Sequence, residues 1–160
     1  MVLSKASEYA IRAVLYVALV GRKSYTPIRE ISDSLDISFH FLTKIFQTLT
    51  DQGILESYRG PKGGIMLIKP ADELTLYDLV LAVDGGKLFE VCVLGLERCK
   101  QDTPCPVHDK WDPIREDIRH TLMNETVGHL VRKMQDGELR LANNNEYIQN
   151  WYEALKVMSR

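Results

Sequence analysis

No stretch of this chain is apolar for long enough to span a bilayer. The best candidate, Ala10 to Val20, is short and interrupted by Arg12, whereas a spanning helix needs about 20 apolar residues. Its N-terminal flank carries Glu8, no small-residue cleavage site follows, and neither feature reads as a secretory signal. The expectation is a cytoplasmic protein with no membrane partner. Catalytic signatures are missing too: there is no Gly-rich phosphate loop after a strand and no Ser/His/Asp set in a recognisable context. The chain therefore reads as a non-enzyme. No internal repeat or low-complexity tract occurs. Positive charge is in deficit, with 20 Lys and Arg against 22 Asp and Glu and a net charge of −2. That deficit is uneven. Residues 1–70 hold nine Lys/Arg against six Asp/Glu, and residues 71–160 hold 11 against 16. A footprint on phosphates needs only a local basic face, so the first half is the candidate for nucleic-acid contact.

Cysteine is scarce, and its placement is informative. The 160 residues contain three, all between positions 92 and 108. An odd, clustered set in a chain of this kind points to metal or redox work, not to a disulfide framework. The ligand pattern is Cys92, Cys99, Cys105 and His108, spaced by six, five and two residues. Thiolates and imidazole are the groups that hold iron–sulfur clusters or zinc. The spacing fits neither the common zinc fingers nor the tight ferredoxin run. Ligands this far apart can still converge around a cluster wider than one ion. An iron–sulfur centre is the leading reading, with zinc or thiol-based redox sensing left open.

What remains is a chain of 45% hydrophobic content, enough for one domain, or a small domain with an appended helical unit. Ser4 to Val20 has helical periodicity, with Ser4 or Ser7 as cap and Gly21 as terminator. Thr26 caps a second helix with Pro27 at its first position and Ile28, Ile31 and Leu35 inward. Ser38 caps a third, which turns Phe41, Leu42, Ile45, Phe46 and Leu49 inward. Two β-prone runs, Ile54 to Tyr58 and Ile65 to Ile68, flank the turn-forming loop from Arg59 to Gly64. Helix, turn, helix, hairpin is the order of a winged helix-turn-helix. A further helix runs from Leu74 to Val83. After the cysteines, Asp112-Pro113 opens an amphipathic helix predicted to run to about Gln135, roughly 33 Å long. That exceeds what a small winged domain needs and predicts packing against a second copy.

The expected architecture is mainly α with a small β-hairpin wing. It comprises a winged helix-turn-helix domain over 1–84, a cluster-binding loop over 85–110, a dimerisation helix over 111–135 and a helical C-terminal extension over 136–160. In such a fold the second helix of the motif lies in the major groove of double-stranded DNA. Its outward residues here are Ser38, Phe39, His40, Thr43, Lys44 and Gln47. Lys44 suits a guanine edge or a phosphate, and Gln47 an adenine edge. On the wing, Arg59 and Lys62 sit among glycines that let the backbone approach the duplex, an arrangement suited to a narrow minor groove.

Four stretches carry a family resemblance: Leu3 to Ala10, the helix-turn-helix, Tyr58-Arg-Gly-Pro-Lys-Gly-Gly64, and Cys92 through Cys99 and Cys105 to His108. The likeness continues through Trp111 and Leu122 to Leu130, covering about residues 1–135. The chain resembles the IscR/NsrR family of iron–sulfur winged-helix transcription regulators. The resemblance implies a homodimer joined through the long helix, a palindromic operator, and a repressor whose DNA affinity follows its cluster and so senses iron, redox state or nitric oxide. IscR-like members hold a 2Fe–2S cluster with three cysteines and a histidine, which map to Cys92, Cys99, Cys105 and His108. NsrR-like members hold a 4Fe–4S cluster with three cysteines and a carboxylate from the partner's first helix, where this chain has Glu8. Thr43 and Lys44 replace an acidic and an amide residue of IscR-like proteins, which predicts a different preferred operator.

Overall fold

The computed structural model describes residues 3–21, 25–96, 102–136 and Leu141. Helix α1 spans Lys5–Val20 and α2 spans Ile28–Leu35. They are followed by α3 over Phe39–Asp51, strands β1 and β2 over Leu55–Tyr58 and Gly64–Leu67, and α4 over Leu76–Asp84. A 3-10 turn covers Gly86–Phe89, and α5 (His108–Asn124) and α6 (Val127–Gln135) complete the order. The strands pair antiparallel with Leu55 opposite Leu67 and Tyr58 opposite Gly64. Among the described residues no helix is long and apolar enough to cross a membrane.

Local chemistry sets the helix ends. The Ser4 hydroxyl accepts the Ser7 N–H at 3.0 Å, and Gly21 closes α1 with φ of 58°, a left-handed conformation that glycine adopts at little cost. Thr75 and Asp78 form a reciprocal capping box on α4. Asp84, at the far end of α4, accepts hydrogen bonds from the Ser4 and Ser7 hydroxyls at 2.6 and 2.8 Å, joining the start of α1 to the approach of the cysteine segment.

The core is built around α1. Ala10, Ala13 and Val14 are fully buried and meet Ile31 and Leu35 of α2, Leu42, Phe46 and Leu49 of α3, and Leu74 and Leu79. Arg12 donates to the Leu35 carbonyl at 2.7 Å, satisfying an end of α2 that its own backbone cannot.

Three local expectations are corrected. Thr26 does not cap α2. It is buried and exchanges both backbone hydrogen bonds with Ile65, each 2.8 Å, which extends the hairpin by one bridge. The cap position falls to Pro27, which makes no side-chain bond. Ser38 occupies the cap position of α3, but its hydroxyl makes no capping bond. Phe41 faces outward, 39% exposed, with its ring edge-on to Tyr9 at 5.5 Å. The α3 stripe is already filled by Leu42, Ile45, Phe46 and Leu49.

The single helix expected over 112–135 is two helices. The first begins at His108, four residues before the expected start, and carries Pro113 inside it. It stops at Asn124 because Glu125 and Thr126 turn extended and pair with the backbone before α4. Leu76 N–H donates to the Glu125 carbonyl at 3.0 Å, and Val127 N–H to the Leu74 carbonyl at 2.8 Å. Thr126 then caps α6 by accepting the His129 N–H at 3.1 Å. Val127, Val131 and Met134 of α6 belong to the same core as α1. The helical extension expected over 136–160 lies outside the described residues apart from Asp136 and Leu141.

Candidate nucleic-acid interface and cysteine site

The burial of Leu42, Ile45, Phe46 and Leu49 dictates which side of α3 faces outward. Ser38, His40, Thr43, Lys44 and Gln47 are exposed, and Phe39 is half-buried. The Thr43 hydroxyl donates back to the Phe39 carbonyl at 2.8 Å. Arg59 and Lys62 are exposed on the β1–β2 turn, which closes with the Gly63 N–H on the Gly60 carbonyl at 2.9 Å.

Between this turn and α3 lies a groove of about 640 Å³, walled by Thr43, Gln47, Tyr58, Arg59 and Arg29 among others. Arg29 was not singled out from the sequence. Its guanidinium lies over the Phe39 ring, 5.1 Å from the centroid, on the first turn of α2. The signal was a lone cation one helix before the reading helix, a place where helix-turn-helix proteins cross the DNA backbone. Tyr58 is 56% exposed and stacks on Tyr25 with centroids 5.4 Å apart. A hydrogen bond to the Glu56 carboxylate pushes the Tyr25 phenol above its usual range, so Tyr25 stays a donor at the root of the wing.

The described parts of the cysteine segment on either side of residues 97–101 meet at Cys92 and Cys105, and the first is tied to α5. Cys92 is buried and Cys105 half-buried, with their Sγ atoms 3.4 Å apart. His108 is buried as the first residue of α5, and its N–H donates to the Cys105 carbonyl at 3.0 Å. Trp111 ties the helix to the segment through its indole N–H on the Val91 carbonyl at 3.2 Å. The backbone N–H of Leu94 is the largest influence holding the Cys92 thiol below its ordinary range. Cys105, the Leu96 N–H and the Arg115 charge add to it, while burial acts in opposition. Among the described residues no three metal-ligating side chains converge. Cys99 lies outside them. Glu8 stands on the first turn of α1 with its carboxylate 2.5 Å from the Lys5 ammonium. The structure thus brings together Cys92 and Cys105, with His108 beginning the adjoining helix.

A reading helix, a glycine-bearing wing and an exposed cationic groove between them define a winged helix-turn-helix DNA-binding regulator. The profile of the Rrf2 family, described as an iron-dependent transcriptional regulator, matches residues 3–133, and the chain belongs to that family. The HTH-type transcriptional regulator IscR of Serratia proteamaculans is 34% identical over 131 residues, covering 82% of this chain and 79% of that protein. Among solved structures, CymR, the global cysteine regulator of B. subtilis, superposes with a TM-score of 0.70 at 22% identity, covering 82% of this chain and 96% of that one. T. potens IscR gives 0.67 at 16% identity, covering 91% and 95%. Both structures share the fold with this chain. The family and the IscR relatives are transcription regulators, not enzymes.

Proposed function

We propose that the chain is a homodimeric repressor that binds a palindromic operator and is controlled by an iron–sulfur centre. Ser38, Phe39, His40, Thr43, Lys44 and Gln47 meet the major groove, and Arg59 and Lys62 meet the minor groove. Arg29 adds a phosphate contact from the α2 side of the same groove. Cys92, Cys99 and Cys105 are the proposed sulfur ligands. The fourth ligand is His108 for a 2Fe–2S cluster, or Glu8 from a second copy for a 4Fe–4S cluster.

The observation that carries the metal half is the pair of Sγ atoms at 3.4 Å beside a buried imidazole. Two sulfurs, one favoured as thiolate, suit a thiophilic centre. The largely buried Arg115 guanidinium, whose Nε and Nη1 have no partner among the described residues, offers N–H donors that a thiolate-ligated anion would accept. When bound, such a centre supplies a group whose charge and integrity respond to electrons, iron supply and nitric oxide. The chain's own part is to place two sulfurs, screen them with Trp111 and α5, and connect them through α4 to the reading head.

A second reading follows from the same 3.4 Å. Cys92 and Cys105 can close a disulfide, losing two protons and two electrons to a peroxide or another disulfide, in a thiol- or zinc-responsive regulator without a cluster. Anaerobic purification with iron, acid-labile sulfide and zinc assays separates the readings. Coloured protein with matched iron and sulfide is expected. Colourless protein with stoichiometric zinc, or with no metal, favours the second.

The DNA half has its own measurement. Arg29→Ala is expected to weaken operator and unrelated duplex alike and to reduce the slope of log K against log salt by about 0.9, the share of one phosphate contact. Gln47→Ala instead should cost about 1–3 kcal/mol at one base position and leave the salt slope alone. An Arg29→Ala protein with an unchanged slope removes Arg29 from the interface.

A further inference from the structure

The side of α5 that faces the cysteine segment carries more than His108. His108, Trp111 and Arg115 recur at steps of three and four residues and therefore share one face of the helix. Trp111 fastens that face to Val91, the neighbour of Cys92. Arg115 is one turn further on, with its side chain only 12% exposed. Its Nη2 group is paired with Asp112, while Nε and Nη1 are buried and have no hydrogen-bond partner among the described residues.

A guanidinium presents five N–H donors and does not deprotonate. A buried donor left idle forfeits its hydration without a replacement, so native structures seldom retain one without a purpose. Asp112 balances the charge from one edge of the fork and leaves the other edge without an acceptor. Arg115 also lies within electrostatic range of Cys92. The idle donors are therefore on a cation beside the candidate site, and what they lack among the described residues is an anionic acceptor.

Resting on the iron–sulfur reading above, we infer that Arg115 is a positioning residue for the cluster. With the centre bound at Cys92 and Cys105, its Nε and Nη1 groups would donate to the sulfur of that anion. Its fixed charge sets how readily that centre takes up one electron. Reduction adds a negative charge beside a cation and forms or breaks no bond, so the cation and its N–H donors favour the reduced state. The arginine thereby tunes the redox response of a regulator whose sulfur ligands alone would leave the centre harder to reduce.

The test uses the full chain as wild type, Arg115→Gln and Arg115→Lys, reconstituted anaerobically with ferrous iron and sulfide. Iron and sulfide per chain, Tm, and the midpoint potential by dithionite titration with mediator dyes are measured. Arg115→Gln is expected to shift the reduction equilibrium at least tenfold toward the oxidised form, which is 59 mV for one electron. Arg115→Lys keeps the charge without the planar fork and is expected to shift it less. Failure of Arg115→Gln to load, with Tm unchanged, supports the inference as a holding role. Equal potentials in wild type and Arg115→Gln overturn it while the iron–sulfur reading stands. Loss of loading together with a lowered Tm in both variants marks a structural role and also overturns it. A colourless, iron-poor wild type overturns the inference and the reading beneath it.

Discussion

Replacing Gly64 with alanine is expected to lower stability by roughly 3 kcal/mol and operator affinity at least tenfold. A methyl group on Gly64 would lie on the Thr26 carbonyl, with Thr26 C at 2.5 Å and Pro27 N at 2.8 Å. These are backbone atoms, so no side chain can swing aside. The two backbone bonds between Thr26 and Ile65 must open, and they join the wing to the segment that leads into α2. Overpacking of this kind costs about 1–3 kcal/mol, and two part-buried hydrogen bonds add about 1 kcal/mol each. At about 2–4 °C per kcal/mol for a chain of this length, Tm should fall by roughly 6–12 °C. The wing, carrying Arg59 and Lys62, would then lose its fixed distance from α3. Gly86→Ala is the control, because a methyl group there meets nothing nearer than 3.9 Å. Thermal melts and operator titration of the two variants decide the matter. An unchanged Tm and affinity for Gly64→Ala would show that the close approach is not maintained in solution.

The second large effect is expected at the sulfur pair. Truncating Cys92 and Cys105 together to alanine removes the two thiols that lie 3.4 Å apart and leaves α1, α2, α3 and the wing untouched. Visible absorbance of anaerobic protein should disappear, and iron and sulfide should fall to background. Tm of the cluster-free protein should stay within a few degrees of cluster-free wild type. Both sulfurs are outside the central core around Val14 and Phe46, so the loss is chemical and not one of packing. Colour retained in the double variant would place the metal on other ligands and remove Cys92 and Cys105 from the site.

Much of the fold was readable in the chain because its determinants are local. The step pattern Leu42, Ile45, Phe46, Leu49 fixed the inward stripe of α3, and with it the outward set from Ser38 to Gln47. Ser4 and Gly21 marked the ends of α1 by their own chemistry. The failures were at places where a distant partner decides. Thr26-Pro27 has the composition of a helix start, yet Ile65, 39 positions away, captures Thr26 as a strand residue. Phe41 is apolar, but its neighbour Tyr9 offers an edge-on contact at the rim. The interruption between α5 and α6 left a trace in the sequence: the four-residue apolar rhythm of Ile114, Ile118 and Leu122 meets the polar Thr126. Asn124-Glu125-Thr126 supplies the break. Of the candidate site, the closeness of Cys92 and Cys105 was legible from their shared segment. Arg29 left a faint signal as the lone cation of the helix before the reading helix, whereas Arg115 could not be recognised, since its meaning comes only from the donors that packing leaves idle.

The junction at Glu125 and Thr126 bears on how two copies would sit on one operator. Because Leu76 and Val127 lock that bend to the strand-like start of α4, and α6 is sunk in the same interior as α1, α5 leaves the body as a welded strut. A welded strut transmits torque without absorbing it. In the proposed homodimer, were the two copies joined through this helix, the distance between paired bodies would be dictated by the angle at which two struts cross, so a change of a few degrees at the crossing would reappear at the far tips.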